Sequence, residues 1–145
     1  MRLFRSLLAL LMLAAVFLSA CGGGAGVSVP AISVRAALDT LEENLGEKVC
    51  VRGFPVAFFY SYTYRGTKVY SIYFSDSAED YYGEIESVEE LRDGWLEVVV
   101  REKSPLWLSV REIFEQGRAL EEYKVLLKGT KSRLSGFYYD FVALR

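Results

Sequence analysis

The stretch from Lys48 to Tyr64 most constrains what this chain can fold into. Lys48–Phe54 alternates through Val49 and Val51, Gly53-Phe54-Pro55 interrupts the pattern, and Val56–Tyr64 resumes it. Alternation of period two is the mark of a half-buried strand. A glycine and a proline inside such a pattern indicate a bulge or a sharp bend. The expectation is therefore one long, coiled strand, which Arg65-Gly66-Thr67 turns into a second strand over Lys68–Phe74.

The flanking segments have different periods. Ser33 can cap a helix in which Val34, Ala37, Leu38, Leu41 and Leu45 recur at helical spacing, and Gly46 stops it. Between residues 76 and 93 lie eight acidic residues against the single cation Arg92. Within them Ser87-x-x-Glu90 reads as a capping box that starts a short helix. A third strand is expected over Trp95–Arg101, and Pro105 breaks it. Ser109 is a candidate cap for a second short helix through Ile113 and Phe114, closing at Gly117. Strands over Tyr123–Arg133 and Phe137–Leu144 finish the chain, joined by Leu134-Ser135-Gly136.

The first twenty residues belong to a different kind of segment. Arg2 and Arg5 precede an unbroken apolar run of 12 residues, Leu7–Leu18. That is short of the roughly 20 needed to span the hydrocarbon core and has the layout of a secretory signal peptide. Leu18-Ser19-Ala20-Cys21 resembles the lipobox of bacterial lipoproteins, in which the cysteine thiol receives a diacylglycerol and becomes residue one after cleavage. The resemblance implies lipidation of Cys21 and a chain held on the cell membrane or outer membrane, facing the periplasm or exterior. One acyl chain binds a bilayer only marginally, whereas two hold stably at about 0.8 kcal/mol per buried methylene. The expected organisation is a lipoprotein signal peptide over 1–20, a flexible Gly-rich tether over 21–32 and one domain over 33–145.

Removal of Arg2 and Arg5 from the 17 Lys+Arg leaves 15 against 19 Asp+Glu, a net charge of −4. A mildly acidic domain is a poor generic ligand for nucleic acid, whose phosphates demand a basic surface. Histidine is absent, which removes the commonest general base and transition-metal ligand. There are two cysteines. With the sulfur of Cys21 consumed as a thioether, Cys50 is expected to have no partner within the chain and to pack as a small strand residue.

Placed in order, the domain reads helix, three strands, helix, two strands. The expected fold is mainly β, a five-stranded Greek-key barrel of OB type with an N-terminal helix and a helix between strands three and four. Gly46-Glu47-Lys48-Val49-Cys50-Val51-Arg52-Gly53 resembles the opening strand of tRNA-anti-like and secreted bacterial OB-fold families. Tyr123-Lys124-Val125-Leu126-Leu127-Lys128-Gly129 resembles their fourth strand. The chain departs from them by inserting the acidic segment 75–94 where a compact turn is usual. The resemblance brings no catalytic residues and implies at most a binding face.

On that plan the first loop presents Tyr62, Tyr64, Arg65 and Lys68, and the last presents Lys131, Arg133 and Tyr138. Aromatic faces and cations together are how such barrels hold single strands or sugars. Alternate tyrosines on a plain barrel surface, with solvated cations at loop ends, give the same pattern. The acidic segment lacks the spacing of a calcium loop and reads as a solvated surface. No motif for nucleophilic or metal-assisted hydrolysis occurs. The function expected is a lipid-anchored, monomeric, non-enzymatic binding module of the cell envelope. It needs no cofactor or metal, and its partner is an envelope protein or a small molecule. A nucleic-acid or glycan binder using the tyrosine face is the alternative, and a carboxylate-pair hydrolase is disfavoured.

Overall fold

In a computed structural model of the chain, the structure describes residues 30–117, 121–132 and 136–145. Cys21, the signal segment, most of the Gly-rich tether and Arg133 lie outside the described residues. The described chain is mainly β, with two 3₁₀ turns set between nine strands and α-helices in order. They are β1 (Ala31–Ser33), α1 (Val34–Thr40), β2 (Lys48–Tyr64), β3 (Thr67–Ser75), β4 (Gly83–Glu84), β5 (Leu96–Arg101), α2 (Pro105–Gln116), β6 (Tyr123–Ser132) and β7 (Gly136–Leu144). The seven strands form one mixed sheet: six are ordered β1-β2-β3-β5-β7-β6, β4 pairs with β2 off that path, and β2 also pairs with β6 to bring the sheet round into a partly closed ring.

β2 is the single 17-residue strand expected from its alternation. Lys48 to Gly53 pair antiparallel with β6, from Lys128 to Tyr123. Phe54 to Tyr64 then pair antiparallel with β3, from Ser75 to Thr67. The change of neighbour falls on Gly53-Phe54-Pro55, and register shifts follow at Pro55/Ala57 and Tyr60/Tyr62. Each shift inserts a residue into one strand, which bends it and increases its twist. The hairpin that follows turns on Arg65 (φ 51) and Gly66 (φ 78). Two successive positive φ values are what a two-residue hairpin loop needs to match strand twist.

Two short strands raise the count from the expected five to seven. β1 pairs parallel with β2, Ile32 opposite Val51. β4 pairs parallel with β2, Ala57 opposite Gly83. Neither carries a periodicity of its own, since two or three residues cannot.

The N-terminal segment is seated on the ring by backbone contacts. Ser33 Oγ accepts from the Ala36 N–H (3.1 Å), the expected cap. The Asp76 carboxylate adds two more, accepting from the N–H of Val34 (2.8 Å) and of Arg35 (3.1 Å). A carboxylate on free helix-terminal N–H groups is a charge-assisted cap. The helix ends at Thr40, five residues before the expected Leu45, because residues 41–46 turn back onto β6 and Gly46 N donates to Gly129 O (2.9 Å). Tyr139 on β7 ties the same helix down, its buried hydroxyl donating to Ala37 O (2.8 Å).

α2 also differs from its expected limits. It starts at Pro105, not after Ser109, and closes at Gly117, which has φ 77. Proline at N1 has no N–H to lose and a φ already suited to a helix. β5 has already ended at Arg101, so Pro105 begins the helix and does not end the strand. The Ser109 hydroxyl instead contacts the Tyr123 hydroxyl at 2.9 Å.

The main core fills the ring, with Ile72, Phe74, Leu96, Val98, Val125 and Leu127 from strands and Val34, Ala37, Leu106, Trp107 and Val110 from the helices. A second cluster, Val56, Ala57, Tyr73, Ile85 and Trp95, lies under the acidic segment. That segment is thus not only a solvated surface, since its apolar residues cover part of the sheet. Its capping box forms as expected, but on a single 3₁₀ turn over Val88–Glu90. Cys50 is fully buried beside Leu126 and is disulfide-bonded. The expectation of a Cys50 without a disulfide partner is corrected.

Gly53 has the closest neighbours of any described glycine. A Cβ there would meet Val34 Cγ2 at 2.6 Å and Ser75 O at 3.2 Å. Val34 is fully buried and β-branched, so it has little room to turn away. Gly53→Ala should destabilise by about 1–3 kcal/mol through overpacking, measured as a shift of the denaturant midpoint. Adding Val34→Ala should recover part of the loss, because neighbours in contact are not additive.

Candidate ligand cleft

Register brings the cleft together. Tyr62 pairs opposite Val69 on β3, and Val69 pairs opposite Arg101 on β5. In the next row Phe59 faces Ser71, Ser71 faces Val99, and Val99 faces Asp140 on β7. Residues two apart on a strand share a face. Tyr64 therefore joins Tyr62, and Tyr138 joins Asp140, on one surface spanning four strands. This surface forms a cleft of about 680 Å³, whose wall is completed by Lys103, Ser104 and Pro105 at the start of α2 and by Val100 and Phe141.

The cleft follows the weakest seam of the ring. β5 and β7 run parallel and pair only at Val98–Tyr139 and Val99–Asp140. A second pocket of about 200 Å³ also lies along this seam, lined by Tyr73, Arg92, Trp95 and Glu97 among others. Tyr138 lines both.

The chemistry of the larger cleft is mixed. Tyr62 and Tyr64 are 54% and 49% exposed, unusually open for such large rings. Arg101 and Lys103 are exposed cations on one wall. Asp140 is the opposing carboxylate and accepts from Thr130 Oγ1 at 2.8 Å. Ser104, the N-cap of α2, makes no side-chain cap hydrogen bond, and its Oγ is buried with no partner. Burial raises the Tyr138 hydroxyl above its ordinary pKa, and Asp140, Tyr62 and Glu97 push the same way. It is a neutral donor at physiological pH.

Of the residues singled out in the sequence, Tyr62, Tyr64 and Tyr138 line the cleft. Arg65 is set back, with its guanidinium over the Tyr64 ring at 5.2 Å. Lys68 pairs opposite Thr63 and lies 6.0 Å from the Tyr60 ring. Lys131 is exposed on β6 opposite Phe137. Neither these three cations nor any described part of the last hairpin loop supplies the positive charge of the cleft. Arg101 and Lys103 do, at the end of β5. Strand alternation could have placed Arg101 on the tyrosine face, but only with the β3–β5 register in hand.

Among the described residues no group of three or more His, Cys, Asp or Glu side chains is placed to hold a metal ion. No described helix is long and apolar enough to cross a membrane. Comparison of the chain with protein-family models and with curated proteins gave no match.

Glu97 stands at the edge of the site and is half-buried. Burial raises its carboxyl above the ordinary 4.5, and the hydrogen bond donated by Ser71 Oγ (3.1 Å) only partly offsets this. The folded chain then holds this proton more tightly than the unfolded chain. Its contribution is fully present below the ordinary value and is lost as pH rises through the raised one. Thermal unfolding followed between about pH 4 and 8 should show that fall. Glu97→Gln should flatten it and melt higher than the parent at the upper end.

Proposed function

We propose that the chain is a binding module of OB type, tethered to the cell envelope through lipid on Cys21, which holds an acidic glycan in the tyrosine cleft. The observation that carries this reading is the meeting of Tyr62, Tyr64 and Tyr138 with Arg101 and Lys103 in one cleft of about 680 Å³. Two of those rings come from the first long hairpin and one from the last strand, which is how an OB barrel assembles its ligand face. The strand order and the position of α2 ahead of β6 support the same reading. Ring faces suit the apolar faces of sugars, and a guanidinium and an ammonium suit their carboxylates. The described residues offer no counterpart of the long basic track that a nucleic-acid strand requires.

A panel of neutral and uronic-acid oligosaccharides, with single-stranded DNA as comparator, tests the ligand class. Tightest binding is expected to the acidic oligosaccharides, weakened by salt. Tyr64→Ala and Arg101→Ala should each reduce affinity about tenfold, ~1.4 kcal/mol. Equal affinity for neutral sugars, or binding indifferent to both substitutions, would overturn it.

The tether has its own test. Cys21→Ser should abolish incorporation of labelled palmitate and release the chain from membranes, and equal labelling of both forms would refute lipidation. Mass spectrometry of the membrane-extracted chain, with and without reductant, reads the lipid mass and the state of the Cys50 sulfur separately.

A further inference from the structure

A second group of aromatic residues lies outside the tyrosine cleft. Phe58, Tyr70, Tyr81, Trp107 and Phe114 line a pocket of about 350 Å³ between α2 and the acidic segment. Their rings form a continuous set. Tyr70 and Trp107 stack at 3.9 Å, Phe58 lies 5.4 Å from Trp107 and 4.6 Å from Phe114, and Tyr81 lies 6.2 Å from Phe114. Four of the five remain only partly buried; Phe58, Tyr70 and Phe114 pack on the main core beside Trp107, so the core forms the floor of the pocket and Tyr81 reaches over it from the acidic segment. The pocket's volume falls within the roughly 300–1,000 Å³ usual for small-molecule sites.

The charges around the space point to the sign of its occupant. Glu84 and Glu115 line it with Arg111, so carboxylates outnumber cations two to one. One wall, Tyr81 to Glu84, belongs to the segment that carries eight acidic residues against one arginine. This gives the rim a negative potential that concentrates cations. Gly83 forms part of the wall with φ 102, a conformation that disfavours any side chain there. Aromatic rings attract a cation through their quadrupoles, most strongly where the cation is poorly hydrated. A methylated ammonium meets that condition, with an apolar surface for the rings and a diffuse charge for the carboxylates.

We infer that the pocket bounded by Phe58, Tyr70, Tyr81, Trp107 and Phe114 binds a methylated ammonium group, with Glu84 and Glu115 supplying the countercharge. This site is separate from the tyrosine cleft and does not depend on its ligand. The group could be carried by a free small molecule or by a lipid headgroup.

Choline and its uncharged carbon isostere, 3,3-dimethylbutan-1-ol, are the probes, titrated against the full chain and followed by NMR at the assigned indole N–H resonances. Choline should shift Trp107 saturably while Trp95, which does not line the pocket, stays in place. The isostere should bind about tenfold more weakly. The exposed pair Glu84→Gln and Glu115→Gln, which leaves the rings untouched, should weaken choline about three- to tenfold. Tyr81→Ala should do the same by removing a ring. A saturable Trp107 response to vesicles containing phosphatidylcholine, but not to phosphatidylglycerol alone, assigns the group to a lipid. A response to choline without one to vesicles assigns it to a free molecule. No saturable response to choline, equal binding of the isostere, or indifference to the double glutamine variant would overturn the inference.

Discussion

The fold depends on one strand serving two partners. β2 leaves β6 at Gly53 and takes up β3 at Phe54, and a flat ribbon cannot face both directions. Strands twist, and bulges concentrate that twist at a chosen point. The Gly-Pro interruption and the first register shift, at Pro55/Ala57, place the bend where the strand changes neighbour. A proline there costs little, because a strand passing between partners leaves a ladder position unused. Without that bend β6 and β3 could not both belong to one ring, and the core between them would be open to solvent.

The rest of the chain is fitted to this bend. Where β6 departs, β4 takes up its edge of β2 at Ala57 and Phe58, reinforced by bonds from Tyr82 N to Val56 O and from Ile85 N to Phe58 O, both 2.8 Å. The acidic segment thus covers an edge that would otherwise invite pairing with another chain. At the other end of the bend, Gly53 lets Val34 approach, and Gly129 does the same for the turn after α1, where a Cβ would meet Leu41 Cδ1 at 3.0 Å. Asp76 then links the two additions, because it leads into the acidic segment and caps α1. A cap of this kind typically contributes about 1 kcal/mol. Its larger effect is to hold the N-terminal helix against the ring.

Much of this was legible because it was local. The alternation of β2, the Arg65-Gly66 turn, the Ser33 cap and the Ser87–Glu90 box each state their outcome within a few residues. The early end of α1 was hidden, because Leu41 and Leu45 keep helical spacing while the backbone is drawn away to Gly129. The start of α2 is ambiguous in the sequence, because Pro105 can end a strand or begin a helix. In the candidate cleft the tyrosines were visible as large rings two apart on one strand. The sequence points to cations of the hairpin loops, whereas Arg101 reaches the cleft only through its pairing with Val69.

The position of both seam pockets follows from chain direction. Every other junction of the ring is antiparallel, with long ladders such as the eight register pairs of β6 and β7. The β5–β7 junction is parallel, and its connection runs through α2 and the whole of β6. Parallel neighbours cannot be joined by a tight turn, so their alignment is set by distant packing and not by a hairpin. Here packing aligns only two residue pairs, and the ladder ends beyond them. Side chains on either side of those pairs line space that no backbone ladder closes. Tyr138, Arg101 and Asp140 stand there, and the ring opens to solvent where its topology is least able to close it.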